Sequence, residues 1–438
     1  MMRQQLLGVQ VGRGEFVRLL MPWFATAARD LPWRRTRDPY GIWIAEVMLQ
    51  QTQVRTVVGY WERWMRELPT LKHLASTPME RVLKLWEGLG YYSRARNLRL
   101  AARVLCDRWG GELPARLEDL RELPGVGRYT AGAISSIAFG KPSPVVDGNV
   151  ARVLSRYFGI QEDIRTPSAR ELLWSAAQLL VEEADRQRLD RPVVSRNELG
   201  LRARSAGRRG QDGQIDSHAL DGLKSLGEGG LAPMRKSACV EPLEGLRLGR
   251  TAAGDFNEAL MEFGALVCTA ANPVCGVCPV QGSCFAFEND STSVLPKVSP
   301  RPKTKAIRNV ALLLEIDGRV LVRQRSDVGV NAEFWEFPQC EAPGRKPLTG
   351  CRVKEMFQLH GDYDIARVGA IRHSITRHRI LLEVFKALGR GDEVVGDGPG
   401  FWVDARGLET LALTSAHRRI AKRLRFTPGE RISIELPP

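Results

Sequence analysis

Two carboxylic acids, Glu46 and Asp147, lie in local sequences that would give them different tasks in an acid–base reaction. Glu46 stands in GIWIAEVMLQQTQV, where the neighbours are apolar on nearly every side of the helix that this pattern predicts. Removing a carboxyl group from water raises its pKa and lets it hold a proton near neutral pH. The alternative places Glu46 on the one solvated side of the helix, which is the default for a lone Glu.

Asp147 follows two valines and precedes Gly148 and Asn149. Taken alone, this position fits two roles equally: the N-cap of a helix that begins near Asn149, and a catalytic carboxylate. Cleavage of a glycosidic bond uses one protonated carboxyl group for the leaving group. It uses a second, ionised one for the cationic sugar. Glu46 and Asp147 together therefore indicate glycosidic bond cleavage.

A glycine-rich turn, LPGVG at 123–127, precedes the small-residue stretch YTAGAI. Gly125 and Gly127 let the backbone approach a ligand closely, and their N–H groups with the next helix N-terminus form an anion site. A DNA phosphate is the expected anion. A plain helix connection is the alternative when the turn is considered by itself.

Four cysteines follow the pattern C-x6-C-x2-C-x5-C: Cys268, Cys275, Cys278 and Cys284. Zinc sites usually consist of two C-x2-C pairs separated by a longer spacer. One compact loop with four thiolates suits a 4Fe–4S cluster better, with zinc or incidental cysteines as alternatives. The other cysteines are interpreted as ordinary thiols: Cys106, Cys239, Cys340 and Cys351.

The bulk properties indicate a nucleic-acid partner. The chain has 438 residues, and its formal net charge of +14 suits a polyanion better than simple solubility does. Its length predicts two or three domains. The N-terminus lacks the apolar core of a signal peptide, and no run reaches the length of a membrane span, so a soluble, cytoplasmic protein of the bacterial nucleoid is expected.

The patterning divides the chain into four parts. Residues 15–185 and 251–290 show helical periodicity, as in VRTVVGYWERWM. Residues 186–250 are rich in Gly, Arg and Ser and are predicted to be a disordered insertion. A Pro/Lys-rich linker at 291–306 leads to a β-rich part at 307–438, where Asp317-Gly318 predicts a hairpin and SAHRRIAKRLRF a basic helix.

Together, these residues resemble the MutY-type adenine DNA glycosylases of the helix–hairpin–helix superfamily. The motifs occur in the order that this family shows: LPWR, WIAEVMLQQTQV, WEGLGYYSRARNL, LPGVGRYTAGAI, VDGNVARVLSR and the four cysteines. The resemblance implies a mostly α helix–hairpin–helix domain with a 4Fe–4S loop, followed by an α+β Nudix-like domain.

The resemblance implies a base excision repair enzyme that removes adenine mispaired with 8-oxoguanine or guanine in double-stranded DNA, acting as a monomer. Glu46 would protonate N7 of adenine with the help of Tyr129. Asp147 would stabilise the cationic sugar, and Asn149 would orient it. The endonuclease III branch has a Lys at the position of Tyr129, and Tyr cannot form the same Schiff base. A monofunctional glycosylase is therefore expected.

The resemblance also assigns residues to DNA contacts. Four of them line the pocket for the flipped adenine: Trp33, Arg34, Leu49 and Glu258. Gln51 and Thr52 face the opposite base. Leu89 and Tyr91 form a wedge that enters the duplex, and core packing is the alternative for this pair.

FWEFP at 334–338 matches a strand of the Nudix-like domain that this family uses to read 8-oxoguanine. The acidic REXXEE box is absent, so this domain is expected to recognise and not to hydrolyse. The lesion-reading loop, Phe-Ser-His in the family, is Ile375-Thr376-Arg377 here, and Ser374 and Thr376 supply its hydroxyl groups.

Two other functions fit the same motifs. One is a helix–hairpin–helix glycosylase for another base, similar to endonuclease III. The other is a non-catalytic iron–sulfur protein that binds DNA, but such a protein needs neither Glu46 nor Asp147.

Overall fold

The protein is described by a computed structural model for residues 2–189, 252–300, 304–326, 331–344, 346–375, 377–390, 400–426, 432–434 and 436. It consists of a helical N-terminal part and an α+β C-terminal part, as the sequence predicts. The insertion predicted for 186–250 lies outside the described residues, except for 186–189, which continue a helix.

The helical part is built from helices of 4 to 26 residues, and most of the segments between them contain prolines or glycines. Its elements are α1 (Met2–Ala27), α2 (Pro39–Leu49), α3 (Val54–Glu67), α4 (Leu71–Ser76), α5 (Met79–Trp86), α6 (Ser93–Trp109), α7 (Leu117–Arg121), α8 (Arg128–Ala133), α9 (Gly148–Tyr157), α10 (Pro167–Leu189), α11 (Ala252–Leu266) and α12 (Phe285–Glu288). A π-helical turn, Ile134–Ala138, extends α8. The first helix begins at Met2, before the residue 15 at which the sequence pattern places the domain.

Two apolar cores stabilise the helical part. The first contains Trp43 of α2, Trp64 of α3 and Trp86 of α5, and the second joins α1, α9, α10 and α11. Helix α8 contributes to both, since Ala131 packs in the first core and Ala133 in the second. Helix α8 therefore connects the core that contains α2, which carries Glu46, with the core that contains α9, for which Asp147 is the N-cap.

The C-terminal part is a mixed sheet covered by helices. Its elements are β1 (Lys305–Ile316), β2 (Arg319–Gln324), β3 (Trp335–Glu336), β4 (Gln339–Glu341), α13 (Gly350–Met356), β5 (Asp362–Ile375), β6 (His378–Arg390), β7 (Gly400–Val403), α14 (Ala405–Thr410), α15 (Ser415–Ala421), β8 (Leu424–Arg425) and β9 (Ser433–Ile434). The main sheet has the order β3-β2-β1-β6-β5, with β4 on β1 and β7 on β2. Strands β1 and β6 are parallel, whereas the other pairs are antiparallel.

The hairpin predicted at Asp317-Gly318 is confirmed. Ile316 pairs with Arg319, and both turn residues have positive φ angles, 48° and 70°. This is the geometry that the twist of a two-residue hairpin favours. The basic helix predicted in the tail is confirmed for Ser415–Ala421.

The two parts are in direct contact. Phe334 and Ala412 of the C-terminal part belong to the first helical core, and the Phe334 ring lies 4.0 Å from that of Tyr92 between centroids. Arg418 of α15 pairs with Glu87, which follows α5. The predicted linker also contacts the helical part, because the Ser299 N–H donates to Asp163 at 2.9 Å.

Candidate functional site

Helix α2 buries Glu46. The helix begins at Pro39, and the Asp38 carboxylate caps it by accepting from the N–H groups of Tyr40 and Gly41. Every residue from Tyr40 to Met48 is buried, so the helix has no solvated side. Glu46 is only 5% exposed, which confirms the burial expected from its apolar neighbours.

The Glu46 carboxyl group faces Tyr129 on α8. The Tyr129 hydroxyl donates to Glu46 Oε2 at 2.7 Å and also lies 3.2 Å from the sulfur of Met261. Burial, helped by the nearby charges of Glu258 and Asp147, raises the pKa of Glu46 to about 7, against the Tyr129 hydrogen bond, which lowers it. Glu46 is therefore protonated in a large fraction of molecules at neutral pH.

Asp147 is the N-cap of α9. Its Oδ1 accepts from the Val150 N–H at 2.7 Å, and its Oδ2 accepts from Asn149 Nδ2 at 2.9 Å. The helix cap considered from the sequence is thus present. Burial raises the pKa of Asp147, whereas these two hydrogen bonds lower it. The residue is a desolvated carboxylate held by directed donors, which is also what an electrostatic role requires.

Asn149 is fixed from its other side. Arg152 Nη2 donates to Asn149 Oδ1 at 2.8 Å and to the Gly264 carbonyl at 2.7 Å. A Cβ at Gly264 would lie 2.7 Å from that of Asn149, so the close approach of α11 to α9 requires glycine there.

The residues predicted to line an adenine pocket lie near Glu46. Arg34 forms a buried ion pair with Glu258 at 3.0 Å, and the Trp33 ring packs edge-on against Trp61. Leu49 ends α2 and packs against the first core. These residues thus combine apolar side chains with a buried charged group, as small-molecule sites commonly do.

Glu262 and Arg29 extend the ion pair of Arg34 and Glu258 into a larger charged group, and the sequence did not predict these two members. Glu262, one turn after Glu258 on α11, accepts from Arg34 at 3.2 Å and from Arg29 Nε at 2.7 Å. These arginines hold the pKa of Glu262 at about 2 despite its burial. The i, i+4 spacing of Glu258 and Glu262 in a mostly apolar helix was the available signal.

The predicted DNA-contact residues occupy two neighbouring loops. Gln51 and Tyr91 have positive φ angles, 57° and 47°, and the Tyr91 side chain is 48% exposed. Thr52 is half-buried. Leu89 is buried in the first core, which corresponds to the core-packing alternative for this residue in the protein without DNA.

The glycine-rich turn connects α7 to α8. Gly125 has φ 76°, and a Cβ at this position would lie 2.6 Å from that of Asn97. Gly127 is the N-cap of α8 and faces open space. The first N–H groups of α8 therefore point to a place that a phosphate can reach.

The four cysteines predicted to bind a cluster line one small apolar cavity of about 30 Å³, together with Arg156. None of them forms a disulfide, and Arg156 Nη1 donates to Cys268 Sγ at 3.4 Å. Burial raises the pKa of the Cys278 thiol to about 12, and the neighbouring thiols add to that shift. In the described part of the chain, no three His, Cys, Asp or Glu side chains are placed to hold one metal ion.

A cleft of about 500 Å³ lies between the two parts of the molecule. Residues 89–93 and Arg96 line one side, and residues 373–375 and 414–416 line the other. Ser374, predicted to belong to the lesion-reading loop, is in this cleft, whereas Thr376 lies outside the described residues. The predicted wedge residues and the predicted lesion loop thus share one cleft.

Comparison with known proteins agrees with this arrangement. Residues 44–178 match the family described as HhH-GPD superfamily base excision DNA repair protein, and residues 309–423 match the NUDIX domain family. The chain is 31% identical to the adenine DNA glycosylase of Homo sapiens over 92% of its length and 72% of that protein. It is 38% identical to the adenine DNA glycosylase of Mus musculus over 92% of its length and 76% of that protein. The chain therefore belongs to the adenine DNA glycosylase family.

Among solved structures, a thermostable thymine-DNA glycosylase is similar at 26% identity and a TM-score of 0.44, covering 63% of this chain and 97% of that one. No helix in the described ranges is both long and apolar enough to cross a membrane.

Proposed function

We propose that this protein hydrolyses the N-glycosidic bond of adenine mispaired with 8-oxoguanine or guanine in duplex DNA. The observation that carries this proposal is the buried Glu46 carboxyl group, with a pKa of about 7, together with a second carboxyl group, Asp147, near enough for its charge to raise that pKa. Family membership supports adenine as the base, and the net charge of +14 supports DNA as the partner.

The chemistry follows from the states of the two carboxyl groups. Glu46 gives its proton to N7 of the flipped adenine, and the electron pair of the glycosidic bond leaves with the base. Asp147 faces the sugar, where positive charge develops, and Asn149 keeps its carboxylate oriented. Water then adds to the sugar carbon and loses a proton to the solvent or to ionised Glu46.

Tyr129 limits the reaction to hydrolysis. A phenol cannot form the Schiff base that a lysine forms with the opened sugar, and the Tyr129 hydroxyl is already engaged with Glu46. Burial and the Glu46 charge raise the pKa of Tyr129, so its phenol keeps its proton. Strand cleavage by the protein is therefore expected to be weak.

The residues around the site would hold the DNA. Arg34 and Glu258, a paired donor and acceptor, would bond the polar edge of adenine, with Trp33 and Leu49 beside it. The α8 N-terminus after Gly127 would bind a phosphate. Gln51, Thr52 and Tyr91 would contact the orphaned base and its stack.

The cysteine cavity would hold one 4Fe–4S cluster, ligated by Cys268, Cys275, Cys278 and Cys284. Four cysteines in one compact loop suit this cluster better than a zinc ion, whose sites usually consist of two C-x2-C pairs with a longer spacer. The group would supply structural order at the C-terminal end of α11, and no step of the hydrolysis is assigned to it.

Purified protein is expected to contain about four irons per chain and to be yellow-brown. Elemental analysis of protein prepared without oxygen checks this, and Cys351→Ser serves as the control because Cys351 is exposed and remote from the cavity. One zinc per chain with a colourless solution would contradict the cluster.

Single-turnover glycosylase assays test the function. Duplexes with adenine opposite 8-oxoguanine, guanine or cytosine are compared, with and without alkali. Adenine release is expected for the first two, and strand cleavage is expected only after alkali. Ser374→Ala removes a hydroxyl from the cleft and is expected to reduce the preference for 8-oxoguanine over guanine. Release of a different base, or equal rates on all three duplexes, would contradict the proposal.

A further inference from the structure

Helix α6 carries a buried arginine, Arg94, whose hydrogen bonds go to neither Glu46 nor Asp147. Arg94 is 8% exposed and lies in the first turn of α6, directly after the loop that contains Leu89 and Tyr91. Burial lowers its pKa to about 10, so the guanidinium stays charged at neutral pH. Among the described residues, its hydrogen-bond acceptors are six carbonyl groups and one hydroxyl.

One set of acceptors lies at the end of α2. Arg94 Nη1 donates to the carbonyls of Val47 at 2.7 Å, Met48 at 3.0 Å and Gln50 at 2.6 Å, and Nη2 lies 3.4 Å from the Thr52 hydroxyl. The last carbonyls of a helix have no partner within the helix and carry its negative partial charge. The guanidinium therefore caps the helix that carries Glu46.

The other set lies in the wedge loop, which we define as residues 88–91. Arg94 Nη2 donates to the carbonyls of Leu89 at 3.2 Å and Gly90 at 3.0 Å, and Nε lies 3.4 Å from that of Tyr91. The guanidinium carbon also lies 5.9 Å from the centre of the Tyr91 ring. One side chain thus joins two loops that are about forty residues apart in the sequence.

Both loops need such a restraint. Gln51 and Tyr91 adopt left-handed backbone conformations, which are unfavourable for residues with a side chain. Tyr91 also keeps a half-exposed aromatic ring that lines the cleft. A single planar cation with five N–H groups can hold both backbones at once, and lysine, with three donors at one point, cannot.

We propose, on the basis of the DNA repair function above, that Arg94 is a positioning residue for DNA entry. It holds residues 50–52 and the wedge loop as one rigid surface, so that Tyr91 enters a mispaired duplex at a fixed distance from Glu46. Arg94 touches neither the base nor the sugar, and it acts through Tyr91.

Arg94→Lys in the full-length protein tests this. The duplex carries 2-aminopurine next to the mispair, because its fluorescence reports unstacking by the wedge. We expect the protein concentration that half-saturates the duplex to rise about tenfold and the fluorescence increase on binding to be smaller. The reason is that lysine no longer holds the two loops together. The single-turnover rate at saturating protein and its pH dependence are expected to stay within about twofold, because the Glu46 carboxyl group and its hydrogen bond from Tyr129 do not involve Arg94.

A double-mutant cycle with Tyr91→Ala shows whether Arg94 acts through the wedge. The double variant is expected to behave as Tyr91→Ala alone, since interacting residues are not additive. Effects that multiply would overturn the proposal. Arg99→Lys, which changes another buried arginine of α6 that donates to the Thr77 carbonyl, is the matched control and should leave the fluorescence unchanged.

Hydrogen exchange in the wild-type protein gives an independent reading if Arg94→Lys does not fold. Residues 50–52 and 88–91 are expected to open together, and protection factors that differ by more than about tenfold would overturn the proposal. If the wild-type protein bound and unstacked the duplex but released no adenine, the glycosylase function would be contradicted. The fluorescence comparison of wild type and Arg94→Lys would still decide the role of Arg94.

Discussion

Replacement of Glu46 by Gln is expected to abolish adenine release while the protein still binds the mispaired duplex. Gln keeps the size and polarity of the side chain but cannot give a proton. General acid catalysis contributes about 10²–10⁴-fold, and single-turnover rates at saturating protein should fall by that factor. Glu183→Gln, at a buried carboxylate of α10 paired with Arg13, is the control and should keep the wild-type rate.

The pH dependence follows from the pKa of Glu46. Only the protonated form is a general acid, so the rate should fall as the pH rises through about 7. The Tyr129 hydrogen bond lowers that pKa, so Tyr129→Phe should move the fall to higher pH. A rate that is independent of pH between 6 and 9 (a range of roughly one unit below to two above the pKa) would assign the proton to another group.

The same burial means that ionised Glu46 lowers the free energy of unfolding at high pH. Its folded-state pKa of about 7 exceeds the ordinary value of 4.5 for a Glu side chain, so the folded state binds the proton more tightly. Stability should therefore decrease as the pH rises from about 4.5 to 7, by up to about 3 kcal/mol. Glu46→Gln removes this loss, and urea unfolding at pH 8 should show a variant that is more stable than the wild type although it is inactive.

The sequence was informative where local patterning decides structure. The apolar neighbours of Glu46 predicted its burial because α2 has no polar side on which the carboxylate could be solvated. Asp317-Gly318 predicted the β1–β2 hairpin because few residue pairs tolerate two positive φ angles. In both cases the decisive contacts lie within a few residues.

Contacts between residues that are far apart in the sequence could not be predicted from local patterning. Arg94 appears in the sequence as one of several arginines in RARNLRLAAR, with no signal that it caps a helix more than forty residues earlier. The contact between Glu262 and Arg29 is separated by 233 positions. These partners are set by how the helices pack, because many arrangements of the same helices would satisfy the same periodicity.

The contact between the two parts shows the same limit. Arg418 and Glu87 are 331 positions apart, and the sequence predicts only that a linker separates the domains. The structure instead places the C-terminal part against α5 and the start of α6, on both sides of the wedge loop. Lesion reading and duplex entry would therefore act on neighbouring surfaces of one molecule.

Asp147→Asn is expected to retain the fold and lose adenine release. The hydrogen bonds around this residue have fixed directions: Arg152 can only donate, so Asn149 presents its oxygen to Arg152 and its amide hydrogen to Asp147. Asp147 is thereby an acceptor at both oxygens. An Asn at this position keeps the bond from the Val150 N–H but places a donor against the Asn149 amide, which costs about 1 kcal/mol.

The expected loss of rate is larger than this change in stability. Removal of one preorganised electrostatic contact to a developing charge slows catalysis by about 10²–10³-fold, and Asp147 is a half-buried carboxyl group whose two oxygens are held by two donors. Asp147→Ser gives a second variant without the donor conflict, because Ser is also a good helix cap. Both variants should bind the mispaired duplex and release almost no adenine.

Asp404→Asn separates the cap from the catalysis. Asp404 is the N-cap of α14 and accepts from the Gly407 N–H at 2.8 Å, so it makes the bond that Asp147 makes, but in the C-terminal part and in an exposed position. Its variant should lose little stability and no activity. If Asp147→Asn and Asp404→Asn both turned over at the wild-type rate, Asp147 would be a structural cap, and the charge that stabilises the sugar would have to come from another group.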